Sequence, residues 1–411
     1  MTAYAIKLAY GSVLHPFHFK RPPHLISATE PACVIDLSSF RERLDRFLED
    51  ATLDLRQAVV VVADKTRVCG YPHYLPVLVD ALRAHGGNDS LTLCIAYGTH
   101  AAQDAATCRH AYGPVFDRCH WVHHNCDRNA DFVDLGRTRR GTPVRLSRHI
   151  MEASCVITMG AVNHHYFAGY GGGRKLIFPG LGERHAIYAN HGLFLDRTRR
   201  GLSAGCQPGV LAGNPLAEDL ADIETHRPAD LAVHGILDSH GQVCDLRVGR
   251  GRDHFLNACA LHASHCEVPD PRHDLVVASC GGYPKDINFI QSHKAIHNAA
   301  AFVRDGGRLI VLAQCRDGIG SQTFLPWFEM GWNAAFDRLA DNYVGNGGTA
   351  LAMMAKLRRI RISVVTDLAG ALADRVGFEP LPVEQAARLA ADYTGQAAVI
   401  PNAGMIVRKN R

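Results

Sequence analysis

The sequence lacks the marks of a membrane, secreted or nucleic-acid-binding protein. No uninterrupted apolar run approaches the roughly 20 residues of a membrane-spanning helix, so no membrane partner is expected. No basic, apolar-cored leader opens the chain, and the expected location is the cytoplasm. The thirteen cysteines are scattered without one C-x-x-C pair, which argues for reduced thiols rather than a disulfide framework. Lys and Arg outnumber Asp and Glu by only 44 to 40, a net charge of +4, and form no long basic run. Nucleic acid is therefore not an expected partner, whereas a small anion is. No G-x-G-x-x-G follows a strand-like run, which disfavours an ordinary NAD dehydrogenase, and no internal repeat suggests a solenoid.

What the sequence does have is an ordinary globular balance, 47% hydrophobic and 20% charged residues over 411 positions, enough for two cores. The patterning predicts an α/β protein of two domains with mostly parallel sheets. The break is expected at Val268-Pro269-Asp270-Pro271-Arg272-His273, where two prolines in four residues interrupt any element. That gives domains 1–268 and 269–411, with the final strand a candidate to return to the first. In the first domain, Phe40 to Leu53 has the spacing of an amphipathic helix. Ala58 to Ala63 reads as a buried strand, Leu75 to His85 as a helix and Leu91 to Ala96 as the next strand. Shorter strands are expected at Trp121–Cys126, Val144–Leu146, Cys155–Gly160 and Leu231–Leu237. In the second domain, Asp274–Ser279, a helix near 291–304 and Arg308–Leu312 form a βαβ unit. Strands Arg361–Val365 and Ala397–Ile400 follow, with a helix at 382–393 between them.

The chemistry-bearing residues sit just after these strands. Asp64-Lys65-Thr66-Arg67 puts an acceptor, a hydroxyl and a guanidinium at a strand end, where ligands of α/β sheets collect; alone it could equally be a capped turn. His100 follows the next strand in Gly98-Thr99-His100. The third strand delivers the chain into Asn163-His164-His165-Tyr166-Phe167-Ala168-Gly169-Tyr170-Gly171-Gly172-Gly173-Arg174-Lys175, with Pro179-Gly180 and His191 beyond. Gly171, Gly172 and Gly173 can turn through positive φ and aim bare N–H groups at an anion while Arg174 and Lys175 add charge, so phosphate is a natural guest. It is not a Walker loop, since Leu176 stands where Ser or Thr would hold magnesium. A plain glycine-rich turn with solvated cations remains the alternative.

The run His165-Tyr166-Phe167-Ala168-Gly169-Tyr170-Gly171-Gly172-Gly173-Arg174-Lys175-x-x-x-Pro179-Gly180 resembles the central motif of the lactate racemase family, and further motifs between about residues 60 and 300 match in the same order. The resemblance implies a racemase or epimerase of 2-hydroxy acids, an isomerase that uses a nickel-pincer nucleotide, Ni(II)-pyridinium-3,5-bisthiocarboxylate mononucleotide. By resemblance Lys175 tethers that cofactor, His191 ligates nickel, and Asp64, Lys65, Thr66, Arg67 and the three glycines hold the nucleotide. Two acid/base imidazoles, His100 and His165, would take and return the hydroxyl proton while the α-hydride moves to the cofactor. His164 is expected to be structural. Residues 1–268 would then be the cofactor-binding and catalytic domain.

In the second domain Gln291 and Lys294, three residues apart, share one face of any helix that spans them. The family implies that they hold the substrate carboxylate together with Arg67, which would put the active site in the cleft between the domains. Val68 follows Arg67 where the family usually has Pro. Ile290 occupies a position that is Tyr in lactate-specific relatives, and Tyr343 to Thr349 lacks a Trp that some relatives have. These departures count against lactate itself as the substrate. Cofactor-synthesis proteins are expected partners for loading, and a homo-oligomer is compatible with the sequence. Two other readings stay open: a zinc hydrolase using His100, His165 and His191, and a non-catalytic hydroxy-acid or nucleotide-binding protein. The remaining histidines, His123, His124, His262 and His265 among them, are expected to be structural or on the surface.

Overall fold

The computed structural model describes residues 4–67, 69–88 and 91–409. Val68 lies outside them. The chain divides into two compact units, one of residues 30–194 and 203–265, the other of 1–29, 195–202 and 266–411. The chain passes from one unit to the other between residues 265 and 266, and the two-segment division needs correction. The first 29 residues belong with the C-terminal unit, because strand His24–Leu25 pairs parallel to Ala398–Ile400. The final strand does not return to the first domain either: Val407–Arg408 pairs with Glu267–Val268 inside the same unit.

The unit of residues 30–194 and 203–265 is built on a six-stranded sheet in the order Val243–Gly249, Leu231–Leu237, Cys155–Ala161, Ala58–Ala63, Thr92–Ala96, His120–His123. All neighbours are parallel except the hairpin of the first two strands. Ala58–Ala63 lies in the middle and is buried along its whole length, which is what an unbroken valine run means in a parallel sheet covered on both faces. From this strand the chain steps one way to Thr92–Ala96 and later the other way to Cys155–Ala161, so the strand order reverses here. Ligands of open α/β sheets bind outside the carboxyl ends at such a reversal.

The covering helices show why these segments are helical. Leu37–Asp50 is capped by Asp36, which accepts from Ser39 N–H at 2.7 Å, and buries Phe40, Leu44 and Leu48 at fourfold spacing. It ends at Asp50, short of the expected Leu53. Tyr71–Ala84 starts four residues earlier than the sequence suggests: Gly70 turns left-handed at φ 60° and Pro72 falls in the first turn, where no N–H is required. The helix Gly251–Cys266 was not foreseen, because its apolar residues do not fall into one clear stripe.

The other unit carries a wholly parallel six-stranded sheet in the order Glu379–Leu381, Arg361–Val365, Val303–Leu312, His273–Ser279, Ala398–Ile400, His24–Leu25. Helix Phe289–Ala300 packs on it through Phe289, Ile296 and Ala299, with Asn288 accepting Gln291 N–H at 3.0 Å as the cap. The glycines at 347 and 348 open the helix Gly347–Arg359, and a Cβ on Gly347 would lie 2.8 Å from the ring of Trp327. The glycine there makes room for the unit's own tryptophan. Cysteine also departs from expectation: Cys33 and Cys244 form a disulfide, brought together by the Val34 N–H to Cys244 O hydrogen bond, while eleven cysteines are free. No helix among the described residues is long and apolar enough to cross a membrane.

Two tyrosines fix the end of the central strand. Ala63 N–H donates to Tyr71 Oη at 2.9 Å, Tyr71 O–H donates to Met159 O at 3.0 Å, and Tyr112 O–H donates to Ala63 O at 2.9 Å, all in the buried interior. They tie Ala58–Ala63 to Cys155–Ala161 at the point where both strands enter their polar tips. Tyr71→Phe strands a buried donor and a buried acceptor at once, so it should destabilise this unit by about 1–3 kcal/mol. Tyr112→Phe removes one partner only and should cost less. Denaturant melts of both variants check the ranking, and equal stability of Tyr71→Phe and the parent would contradict the clamp.

Candidate active site

A cavity of about 130 Å³ opens at the carboxyl ends of the three central strands. Ala63, Asp64 and Arg67 enter it from the first strand, Ala96 to His100 from the second, and Gly160, Ala161, Asn163 and His165 from the third. Lys175 and His191 complete the wall. Residues separated by more than a hundred positions thus share one space, and the sheet's reversal puts them there.

The best-defined contact is between Asp64 and His100. Asp64 is 3% exposed and accepts from His100 Nδ1 at 2.6 Å, while its other oxygen takes the Thr66 N–H and hydroxyl at 2.8 and 2.5 Å. Burial pushes this carboxyl up, but the hydrogen bonds from His100 and Thr66 and the charges of His100 and Arg67 outweigh it and hold the group at about 2. With Nδ1 donating to a carboxylate, Nε2 is the nitrogen that carries the lone pair, the arrangement of an oriented general base. Tyr97 and the turn after it set the ring: His100 N–H closes on Tyr97 O at 3.0 Å, and Gly98 N–H reaches Gly180 O at 2.8 Å.

His165 has the opposite hydrogen-bond polarity. Its Nδ1 accepts Ala168 N–H at 3.3 Å, so a neutral ring carries its proton on Nε2. It stacks on Tyr166 and meets Phe167 edge to face. One histidine is arranged as acceptor and the other as donor in the same cavity. His164 points elsewhere: it packs on Tyr170 and takes a 3.1 Å contact from His262 Nε2, beside the cluster of Val162, Phe255 and Cys259. His124 is likewise structural, bonded to Gly182 O at 3.1 Å, and His123 meets Tyr97 Oη at 2.9 Å.

Lys175 and His191 are shaped by desolvation. Burial, then the charges of Arg67 and Arg174, drive the Lys175 amine well below its usual value. Burial and the Lys175 charge bring His191 down to about 3. A neutral amine is nucleophilic and a neutral imidazole is a metal ligand, so the two groups suit a covalently held metal cofactor. His191 sits on the helix Arg184–Gly192, which Asn190 anchors through a buried 2.8 Å bond to Asp219.

Several expected residues fall elsewhere. Lys65 and Thr66 do not line the cavity; Thr66 supports Asp64, and Lys65 acts on Asp104 and Cys108. Gly171 and Gly172 line it, but Gly173 does not. Gly172 and Gly173 do turn through positive φ, at 74° and 50°. The close approach is to the protein itself: a Cβ on Gly172 would lie 2.4 Å from Ala161 O, and one on Gly173 2.5 Å from Phe255. In the other unit, Lys294 Nζ donates to Gln291 Oε1 at 2.8 Å, so the pair shares one helical face as the spacing implied. The three-imidazole zinc site fails, since His100, His165 and His191 do not bring donor atoms together within 4.8 Å. Among the described residues His24, Asp270 and His273 form a convergent donor set, while Cys33 and Cys244 beside Asp238 are joined in the disulfide.

Asn163 and Phe167, which stand in the central run without an individual role assigned from sequence, line the cavity, and Asn214 was missed. Asn214 Nδ2 donates to Phe167 O at 2.9 Å while its Oδ1 caps the helix Pro215–Glu224. An Asn directly before a Pro that begins a helix was the available signal.

The lactate racemase N-terminal domain family matches residues 42–203, and the lactate racemase C-terminal domain family matches residues 268–342. The chain belongs to the lactate racemase family. It is 29% identical over 287 residues to a lactate racemase of Thermoanaerobacterium thermosaccharolyticum and 27% identical over 281 residues to one of Lactiplantibacillus plantarum. These matches cover 69% and 67% of this chain and 65% and 64% of those relatives. The fold agrees with the solved lactate racemase apoprotein from Thermoanaerobacterium thermosaccharolyticum, with a TM-score of 0.85 at 22% identity over 99% of this chain and 100% of that one. A Thermotoga maritima protein shares it at a TM-score of 0.68 and 14% identity, over 92% and 99% of the two chains.

The Asp64–His100 pair yields a pH test with a definite sign. Asp64 is depressed because His100 and Thr66 hydrogen-bond its charged form, so its carboxyl should stay ionised from pH 7 down to pH 4 by carbon-13 NMR. In His100→Ala the largest opposing contact is gone while burial remains, and the midpoint should rise toward or above the ordinary carboxylate value of about 4. An unchanged titration in that variant would show that His100 does not hold Asp64.

Proposed function

We propose that this protein is a racemase or epimerase of 2-hydroxy acids that works with a nickel-pincer nucleotide. The observation that carries the reading is the meeting of His100, His165, Lys175 and His191 in one cavity at the sheet's reversal. Lys175 would hold the cofactor through its amine and His191 would ligate its nickel, and their depressed pKa values fit both roles. When bound, the group supplies a carbon that accepts and returns a hydride. Everything else falls to the chain's own side chains.

Arg67 brings a guanidinium to the cavity, the natural partner for the substrate carboxylate. His100 Nε2, with Asp64 stabilising the imidazolium that forms, takes the hydroxyl proton of one enantiomer. His165 Nε2–H gives a proton to the carbonyl oxygen when hydride returns to the other face. In the reverse direction the two exchange roles. Rotation of a flat 2-keto acid between the two events inverts the carbon.

The test is interconversion of a panel of 2-hydroxy acids by cofactor-loaded protein. His100→Ala and His165→Ala should each lose about 10²–10⁴-fold in racemisation, the range for a general acid or base. Both should keep the nucleotide-sized mass adduct, which Lys175→Ala should lack. Near-parental racemisation by either histidine variant would remove that residue from the mechanism. Binding of hydroxy acids without any inversion would favour a binding protein instead.

A further inference from the structure

Three metal-ligating side chains from distant parts of the chain meet where strands His24–Leu25 and His273–Ser279 begin. Asp270 lies between two histidines: its Oδ2 is 2.5 Å from His24 Nε2 and its Oδ1 is 2.7 Å from His273 Nε2. The imidazoles are stacked with 5.3 Å between ring centroids, and they turn the same nitrogen to the same carboxylate. One donor atom from each residue lies within 4.8 Å of the other two. All three residues belong to the unit that carries the wholly parallel sheet.

The backbone holds these groups in place. His24 N–H donates to Ala397 O at 2.8 Å and His273 N–H to Phe302 O at 2.7 Å. Asp270 stands between Pro269 and Pro271, which stiffen the chain on both sides, and Arg408 Nε donates to its carbonyl at 2.8 Å. The Asp270 side chain is only 10% exposed, and among the described residues no lysine or arginine lies within 4.0 Å of its carboxylate. A carboxylate so far from water needs a counter-charge. Two neutral imidazoles leave its negative charge in place, whereas a divalent cation balances it and takes a lone pair from each ring.

Two nitrogens and one oxygen suit zinc, while magnesium and calcium take oxygen ligands. Zinc with donors at about 2.0–2.2 Å sets tetrahedral ligand atoms about 3.4 Å apart, so the rings need part from the carboxylate by less than about 1 Å. His24, 41% exposed in its side chain, leaves the site open to solvent.

We propose that His24 Nε2, His273 Nε2 and the Asp270 carboxylate bind one zinc ion, with water as the fourth ligand. His24 lies 246 residues from Asp270 on a strand of two residues, so the ion staples the N-terminal segment to the sheet that it joins. None of the three lines the cavity around Lys175, and failure of this site would leave the racemase reading untouched.

The test uses the full chain carrying His191→Ala, which removes the ligand proposed for nickel in the first cavity. After treatment with a chelator it is titrated with Zn2+ against a chromophoric competitor, and one ion per chain should bind. His24→Gln, His273→Gln and Asp270→Asn should each weaken that ion by more than the roughly tenfold that loss of a supporting contact costs. His24→Gln, at the most exposed of the three positions, carries the test if the other variants fold poorly. Zinc should raise the unfolding temperature of the starting protein and leave that of His24→Gln unchanged. The cobalt(II) form should show a visible spectrum without a thiolate charge-transfer band. No zinc binding overturns the proposal and leaves a shared proton to balance Asp270. Affinity unchanged in both histidine variants also overturns it, as does a thiolate band, which would put the ion on the cysteines.

Discussion

The loss of water around the turn Gly172-Gly173-Arg174-Lys175 governs the chemistry of this protein. Arg174 is buried and Lys175 half-buried at one tight turn, and among the described residues neither meets a carboxylate within ion-pair distance. Each must therefore relieve the cost of burial by its own route. For Lys175 the cost appears as an amine driven well below its usual value, and His191 in the same cavity is lowered by its own burial and by the Lys175 charge whenever that amine is protonated. Arg174 has no such route, and its Nε and Nη2 are buried with no hydrogen-bond partner among the described residues.

The glycines make this possible in a way the sequence reading misjudged. Three glycines before two cations suggested bare N–H groups laid against a phosphate. In the structure the missing side chains let the turn press on Ala161 O and on the Phe255 ring. That packing brings the carboxyl end of Cys155–Ala161 close enough for Lys175 and His191 to share a cavity with His100. Phosphate binding and self-packing place the same demand on φ, so spacing alone could not separate them.

What was legible in the chain was whatever a single element determines. The valine run at 58–63 announced a buried parallel strand, and Asp64, His100 and His165 were readable because each directly follows such a strand. The exchange of segments between the units was not legible, since strand His24–Leu25 is two residues long and joins its sheet only through a partner nearly four hundred residues away. The disulfide was hidden for a similar reason: Cys33 and Cys244 are 211 positions apart and no local spacing links them. The polarity of the two histidines depends on Asp64 Oδ2 and Ala168 N–H, contacts that only the folded backbone creates.

A lysine whose pKa burial drives down also weighs on the fold. The unfolded chain binds a proton there that the folded chain does not, so stability rises as the pH climbs toward the ordinary lysine value of about 10.4 and is reduced below it. A free Lys175 is thus a burden at working pH. An amide at the same nitrogen has no charged form in either state, and the burden disappears with the bond. The cavity is consequently better matched to a lysine that carries an acyl group than to one that does not.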